Sequence, residues 1–125
     1  MTEQRRMRIS AGPMAAYATL NGTHVADEVW LALPLEVRMQ TWGDELYGSV
    51  PLTLPLESPQ EEVDLGALAF WPPGHALCIF FGPTPASSGD EPRAASAVTV
   101  FGHVDGDPGV FRLVKSGERV RFERA

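Results

Sequence analysis

The hydrophobic pattern alternates along most of the chain and changes period once. Met7 and Ile9 alternate with Arg6, Arg8 and Ser10, which predicts a strand with one apolar face. After Gly12-Pro13, "MAAYATL" predicts a second strand, antiparallel to the first. Val25, Ala26, Val29, Trp30 and Leu33 then fall at helical spacing. Thr23 stands where an N-cap belongs, and Asp27 and Glu28 lie early, where the helix dipole favours acids. Pro34 stops the run, so one main helix is predicted near residues 23–33. Alternation then returns. Leu35, Val37 and Met39 share one face, and Glu36, Arg38, Gln40 and Trp42 share the other. Gly43-Asp44 reads as a turn, "ELYGSVPL" as a strand, and "ESPQEEVDLG" as a polar surface connection.

The stretch "AFWPPGHALCIFFGPTP" predicts a hairpin in which Gly66 to Trp71 pairs with Ala76 to Gly82. Pro73-Gly74 fits the centre of a type II turn, which asks for positive φ at Gly74. Both faces of the returning strand are apolar, so it is expected to be covered on both sides, on the outside by the helix or by a ligand. "TPASSGDEPRAAS" reads as a long loop, and loops of that length in compact domains are usually functional or mobile. "AVTVFGHV" is another strand, and "VFRLV" and "RVRFER" are the last ones, joined by "KSG". Eight or nine short strands with one helix predict a mostly β, closed barrel or a sandwich.

Composition narrows the classes. A chain of 125 residues, 44% of them apolar, fits one domain over 1–125 with one core. A net charge of −6 argues against nucleic-acid binding and gives no reason to expect an anionic membrane partner. No apolar run follows the basic residues of "MTEQRRMRIS", and no segment reaches the roughly eighteen apolar residues of a span. A cytoplasmic location is the expectation. Cys78 is the only cysteine, which excludes an internal disulfide and a cysteine-rich zinc site.

The order "LPLEVRMQTWGDELYGSVPL", "LGALAFWPPGHALCIFFGPTP" and "RAASAVTVFGHVDGD" resembles a small prokaryotic family with a cyclophilin-like fold, most of whose members are uncharacterised. The resemblance runs from about Leu20 to Val120, and the WPPG turn with "ALCIFFGPTP" is its most specific part. It implies a closed eight-stranded barrel with helical cover. Cyclophilins proper are peptidyl-prolyl isomerases whose site, on the outer barrel face, holds an arginine, a glutamine, aromatics and a histidine. Arg38 and Gln40, on one strand face, are the isomerase candidates here, although the cyclophilin run of phenylalanine, glutamine, glycine and aspartate is missing.

The candidate chemistry is dispersed. Cys78 in its apolar run reads as a buried small hydrophobe, since a nucleophile needs exposure and a thiolate-favouring neighbour. Nothing in the spacing of His24, His75 and His103 makes them converge, so no metal site is expected. No phosphate loop or dinucleotide fingerprint appears, so no cofactor is expected. Asp44 and Glu45, beside Trp42 and Tyr47, are either turn chemistry with barrel packing or the source of a general base, and Glu57 carries a similar balance of readings. Asp90, Glu91 and Arg93 form either a solvated loop with a local ion pair, or a loop whose Arg93 guanidinium grips a carboxylate or orders the loop.

The first reading is a cleft for a small molecule or short peptide near the 66–82 hairpin and the 83–96 loop, with an enzymatic reaction left open. Trp71, His75, Phe80, Glu91, Arg93, Tyr47 and Glu45 are its candidates, and Trp71, His75 and Arg93 are expected to converge. The alternatives are an isomerase using Arg38 and Gln40, and a non-catalytic interaction domain that pairs with a second copy through a strand edge.

Overall fold

The computed structural model describes residues 4–125; residues 1–3, the start of the expected 1–125 domain, lie outside the described residues. The elements run β1 (Arg6–Ala11), β2 (Met14–Leu20), α1 (His24–Ala32), β3 (Leu35–Thr41), β4 (Glu45–Ser49), β5 (Gln60–Glu62), β6 (Ala67–Trp71), β7 (Ala76–Phe80), β8 (Arg93–Asp105) and β9 (Glu118–Arg124). Eight of the nine strands form a ring in the order β2-β1-β9-β3-β4-β7-β6-β8, closed by pairing of β8 with β2. Every pairing is antiparallel, and β5 attaches outside the ring to β8.

Alternation sets the inner face. Met7, Ile9, Met39, Leu46, Leu68, Phe70, Leu77, Ile79, Phe101 and Phe122 point into one continuous core. Each large apolar side chain removed from water there contributes about 1.5–3 kcal/mol. Helix α1 starts at Thr23, whose hydroxyl accepts the Ala26 N–H at 3.1 Å. The Glu57 carboxylate accepts the His24 and Val25 N–H groups at 3.0 and 3.1 Å, closing two of the free donors at the helix start. Val25, Ala26 and Val29 of α1 join this inner core, so the helix does not cover the outside of β7.

Four expectations need correction. Pro72–Gly74 is a 3-10 turn, not a type II turn, and the residue with positive φ is His75, at 48°. Two successive prolines hold φ near −65°, which suits a right-handed turn and defers the left-handed step to the residue that follows Gly74. "VFRLV" is no strand: Pro108–Leu113 is a 3-10 segment capped by Asp107, whose carboxylate accepts the Gly109 N–H at 2.8 Å. Within "ESPQEEVDLG", Gln60–Glu62 forms the short exposed strand β5. The expected 83–96 loop ends early because β8 begins at Arg93. Its remainder is ordered by the Thr84 N–H on Ser87 Oγ at 2.9 Å, and by hydroxyl donation from Thr84 to the Arg93 carbonyl and from Ser87 to the Glu91 carbonyl.

Candidate functional site

β6 and β7 bury both faces, as a doubly apolar hairpin must. On the outside, Ala67, Ala69, Ala76, Cys78 and Phe80 form a second core with Val63, Ala94 and Val98. The cover is therefore the start of β8 and the segment leading into β6. It is incomplete. Between Trp42, Glu45 and Tyr47 on one side and Trp71, Ala94 and Val98 on the other lies a pocket of about 240 Å³.

Local structure fixes each wall. Trp42 and Glu45 flank the β3–β4 turn, closed by the Trp42 N–H on the Glu45 carbonyl at 2.9 Å. Gly43 turns this corner at φ 59°, with the 83–85 segment against it; a Cβ at Gly43 would lie 2.9 Å from the Thr84 Cα. Asp44 N–H donates to the Pro83 carbonyl and Phe81 N–H to the Asp44 carbonyl, both at 2.9 Å, so the "GPTP" stretch buttresses the turn. Tyr47 lies opposite Cys78 across the β4–β7 pair. The Trp71 indole N–H donates to Ser96 Oγ at 2.7 Å and ties the far wall to β8.

Glu45 is the unusual group. It is only 5% exposed, and its Oε1 is the one buried side-chain oxygen or nitrogen without a hydrogen-bond partner among the described residues. Burial pushes its carboxyl up to about 7, against a smaller opposing effect of the neighbouring Cys78 thiol. Cys78 is itself pushed far up, by burial first and then by the Glu45 charge. Burial and the raised pKa both disfavour the thiolate that a nucleophile needs. The site thus offers a carboxyl that exchanges its proton near neutrality, an unclaimed acceptor oxygen, and aromatic walls.

A model of the cyclophilin-like family matches residues 5–123. The chain belongs to the cyclophilin-like family. It is similar to a protein of Archaeoglobus fulgidus, described as hypothetical and known from its solution structure, with 34% identity and a TM-score of 0.81. That similarity covers 98% of this chain and 95% of the archaeal one. No curated protein matches the chain.

In this cyclophilin-like ring, three of the sequence candidates meet: Glu45, Tyr47 and Trp71. Phe80 is fully buried in the outer core, paired across strands with Glu45. His75 does not line the pocket. Its Nδ1 lies 3.2 Å from the Leu52 carbonyl, and its own carbonyl accepts the Val50 N–H at 2.8 Å, so it anchors the segment after β4. The expected convergence of Trp71, His75 and Arg93 therefore fails, because the left-handed step at His75 turns it toward residues 50–52. Arg93 is engaged by acids of the same chain, 3.1 Å from Glu62 and 3.4 Å from Glu91. The Glu91 carboxyl is held below its usual range, chiefly by the Ser88 amide and further by the Gly89 amide and Arg93.

Arg38 and Gln40 serve the turn before β9. Arg38 donates to the Gly117 carbonyl and Gln40 accepts from Ser116 Oγ, both at 3.0 Å. Among the described residues no group of three His, Cys, Asp or Glu could hold a metal ion, and no helix is long and apolar enough to cross a membrane. Ala94, Ala95 and Val98 are not among the sequence candidates, and Trp42 is named there only as a neighbour of Glu45. Trp42 carries a readable signal, since alternation puts it on the outer face with Gln40, three residues before Glu45.

Proposed function

We propose that this cyclophilin-like protein binds a small molecule or short peptide in the outer-face pocket. One observation carries the reading: Glu45, whose Oε1 is buried and unpartnered, lines a concave surface walled by Trp42, Tyr47 and Trp71. A buried acceptor left empty costs about 1–3 kcal/mol, which a ligand N–H or O–H recovers. Apolar pockets with few convergent polar groups are the usual form of ligand sites. Glu45 also supplies an acid–base group suited to work near neutral pH, so proton transfer to or from a bound ligand fits the same site. The isomerase reading has less support, because Arg38 and Gln40 are committed to the turn before β9.

The test is a fragment screen read by NMR on isotopically labelled protein, together with a prolyl-isomerisation assay. Pocket binding requires saturable shifts of the Trp42 and Trp71 indole N–H signals. Hits that map only elsewhere sink the reading. Catalysed isomerisation that survives Glu45→Gln but not Arg38→Ala would transfer the function to β3.

A further inference from the structure

Resting on the pocket assigned above, we propose that its ligands carry a small cation, an ammonium or amidinium group, on an apolar body. Glu45 is the one charged residue in the wall; the rest is Trp42, Tyr47, Trp71, alanine and valine. The neighbouring arginines are satisfied elsewhere. Arg93 pairs with Glu62 and Glu91, Arg112 with Asp44, and Arg38 with the Gly117 carbonyl. Among the described residues no protein cation therefore answers the Glu45 carboxylate, and none lines the pocket to answer a ligand anion.

Three effects act in the same direction. A cation leaving water needs a charged partner, and Oε1 is an acceptor with nothing bound to it. Aromatic faces attract cations, and more strongly where water is excluded. The net charge of −6 draws cations toward the protein at long range and repels anions. Ala94, Ala95 and Val98 then leave room for the apolar body of the ligand but offer it no side-chain hydrogen bond.

The pocket is also linked to pH. The titratable groups around Glu45 are the Cys78 thiol on β7 and the Tyr47 phenol on its own strand. From β8 it meets Ala94 and Val98 at the pocket, and Arg93 next to them is paired with Glu62 and Glu91. Asp44, the next residue along the turn, is paired with Arg112. A cation binds the ionised carboxylate best, so its binding expels the proton that Glu45 holds near neutrality. Affinity must then fall as pH drops below about 7.

The probes are benzylammonium, benzyl alcohol and benzoate, which share one apolar body and differ in charge. Binding is followed through the Trp42 and Trp71 indole signals. Benzylammonium is expected to bind at least roughly tenfold more tightly than benzyl alcohol, with benzoate weakest. Glu45→Gln should remove the preference for the cation while benzyl alcohol still binds. In the unmutated protein, benzylammonium affinity should fall roughly tenfold from about pH 8 to about pH 6, with proton release on binding near pH 7. That arm holds even if the variant folds poorly. Equal binding of cation and alcohol, tighter binding of benzoate, or a flat pH profile overturns the cation proposal and leaves the pocket reading standing. If none of the three probes moves either indole signal, both are overturned.

Discussion

The Glu45 carboxyl and the Cys78 thiol are diagonal neighbours across the β4–β7 pair and act on each other in opposite senses. The thiol eases ionisation of the carboxyl, and the carboxylate hinders ionisation of the thiol. Burial outweighs the thiol's help and leaves Glu45 near 7 instead of 4.5. An acid with a raised folded-state pKa stabilises the fold below its unfolded value and loses that contribution as pH rises through its folded value. Stability should therefore decline between about pH 4.5 and pH 7, by on the order of 3 kcal/mol from this group. Denaturant melts of the protein and of Glu45→Gln across that window check it. The difference between them should grow with pH, in favour of the variant, and parallel curves would refute the assignment.

Cys78 is 2% exposed and reluctant to ionise, so it should react slowly with thiol reagents while the protein is folded. Cys78→Ala should lower stability by about 1 kcal/mol through the small cavity it leaves. It should also raise the Glu45 pKa further, because the thiol that lowers it is gone. Carbon-13 NMR of the Glu45 carboxyl reads that shift directly, and a fall would contradict the arrangement.

Gly74 matters because the Trp71 ring lies over it. A Cβ there would sit 2.8 Å from two carbons of the indole, whose N–H is pinned to Ser96. Gly74→Ala should push the indole off its seat, cost about 1–3 kcal/mol, and reshape the pocket wall. The expected signs are a moved Trp71 indole N–H signal and altered tryptophan fluorescence. A melting curve and spectrum like those of the parent would count against the packing.

Arg93 holds acids of its own chain at the edge of the site. Both of its pairs are partly exposed, and such pairs contribute little. Arg93→Ala should lower Tm by no more than about 5 °C. Local loosening should appear as faster hydrogen exchange of the Ser88 and Gly89 amides, which Glu91 now ties down. Benzylammonium binding should be retained, and its loss would give Arg93 a direct role.

Much of the ring was legible because turns and alternation are local. Thr23, Pro34 and the spacing of Val25 to Leu33 predicted α1, and Gly66 to Gly82 predicted the β6–β7 hairpin with its doubly apolar faces. Two of the differences share a cause: proline shapes short helical turns where the pattern reads it as punctuation for strands. Pro72-Pro73 and Pro108 both open 3-10 segments, which displaced the left-handed residue to His75 and removed a strand at 110–114. β5 escaped because its three exposed polar residues carry no burial pattern and pair only where β8 extends past the ring. The pocket was only half legible. Glu45 and Tyr47 stand out within one turn, but their meeting with Trp71 depends on β4 pairing with β7 and β7 with β6. Arg93 stood out chemically, yet its acidic partners at Glu62 and Glu91 could not be told from a ligand without the β5–β8 register.

β9 lies between β1 and β3, which do not pair with each other. During synthesis, β1 and β3 both leave the ribosome long before Glu118–Arg124 is made. The nascent chain can form the β6–β7 hairpin, with Cys78 and the outer alanines in place, while the ring still has a gap one strand wide. Met7, Val37 and Met39 stay accessible to water, or to a chaperone, until Val120 and Phe122 slot in beside them. Closure of the ring therefore waits on β9, the last of its strands to be made.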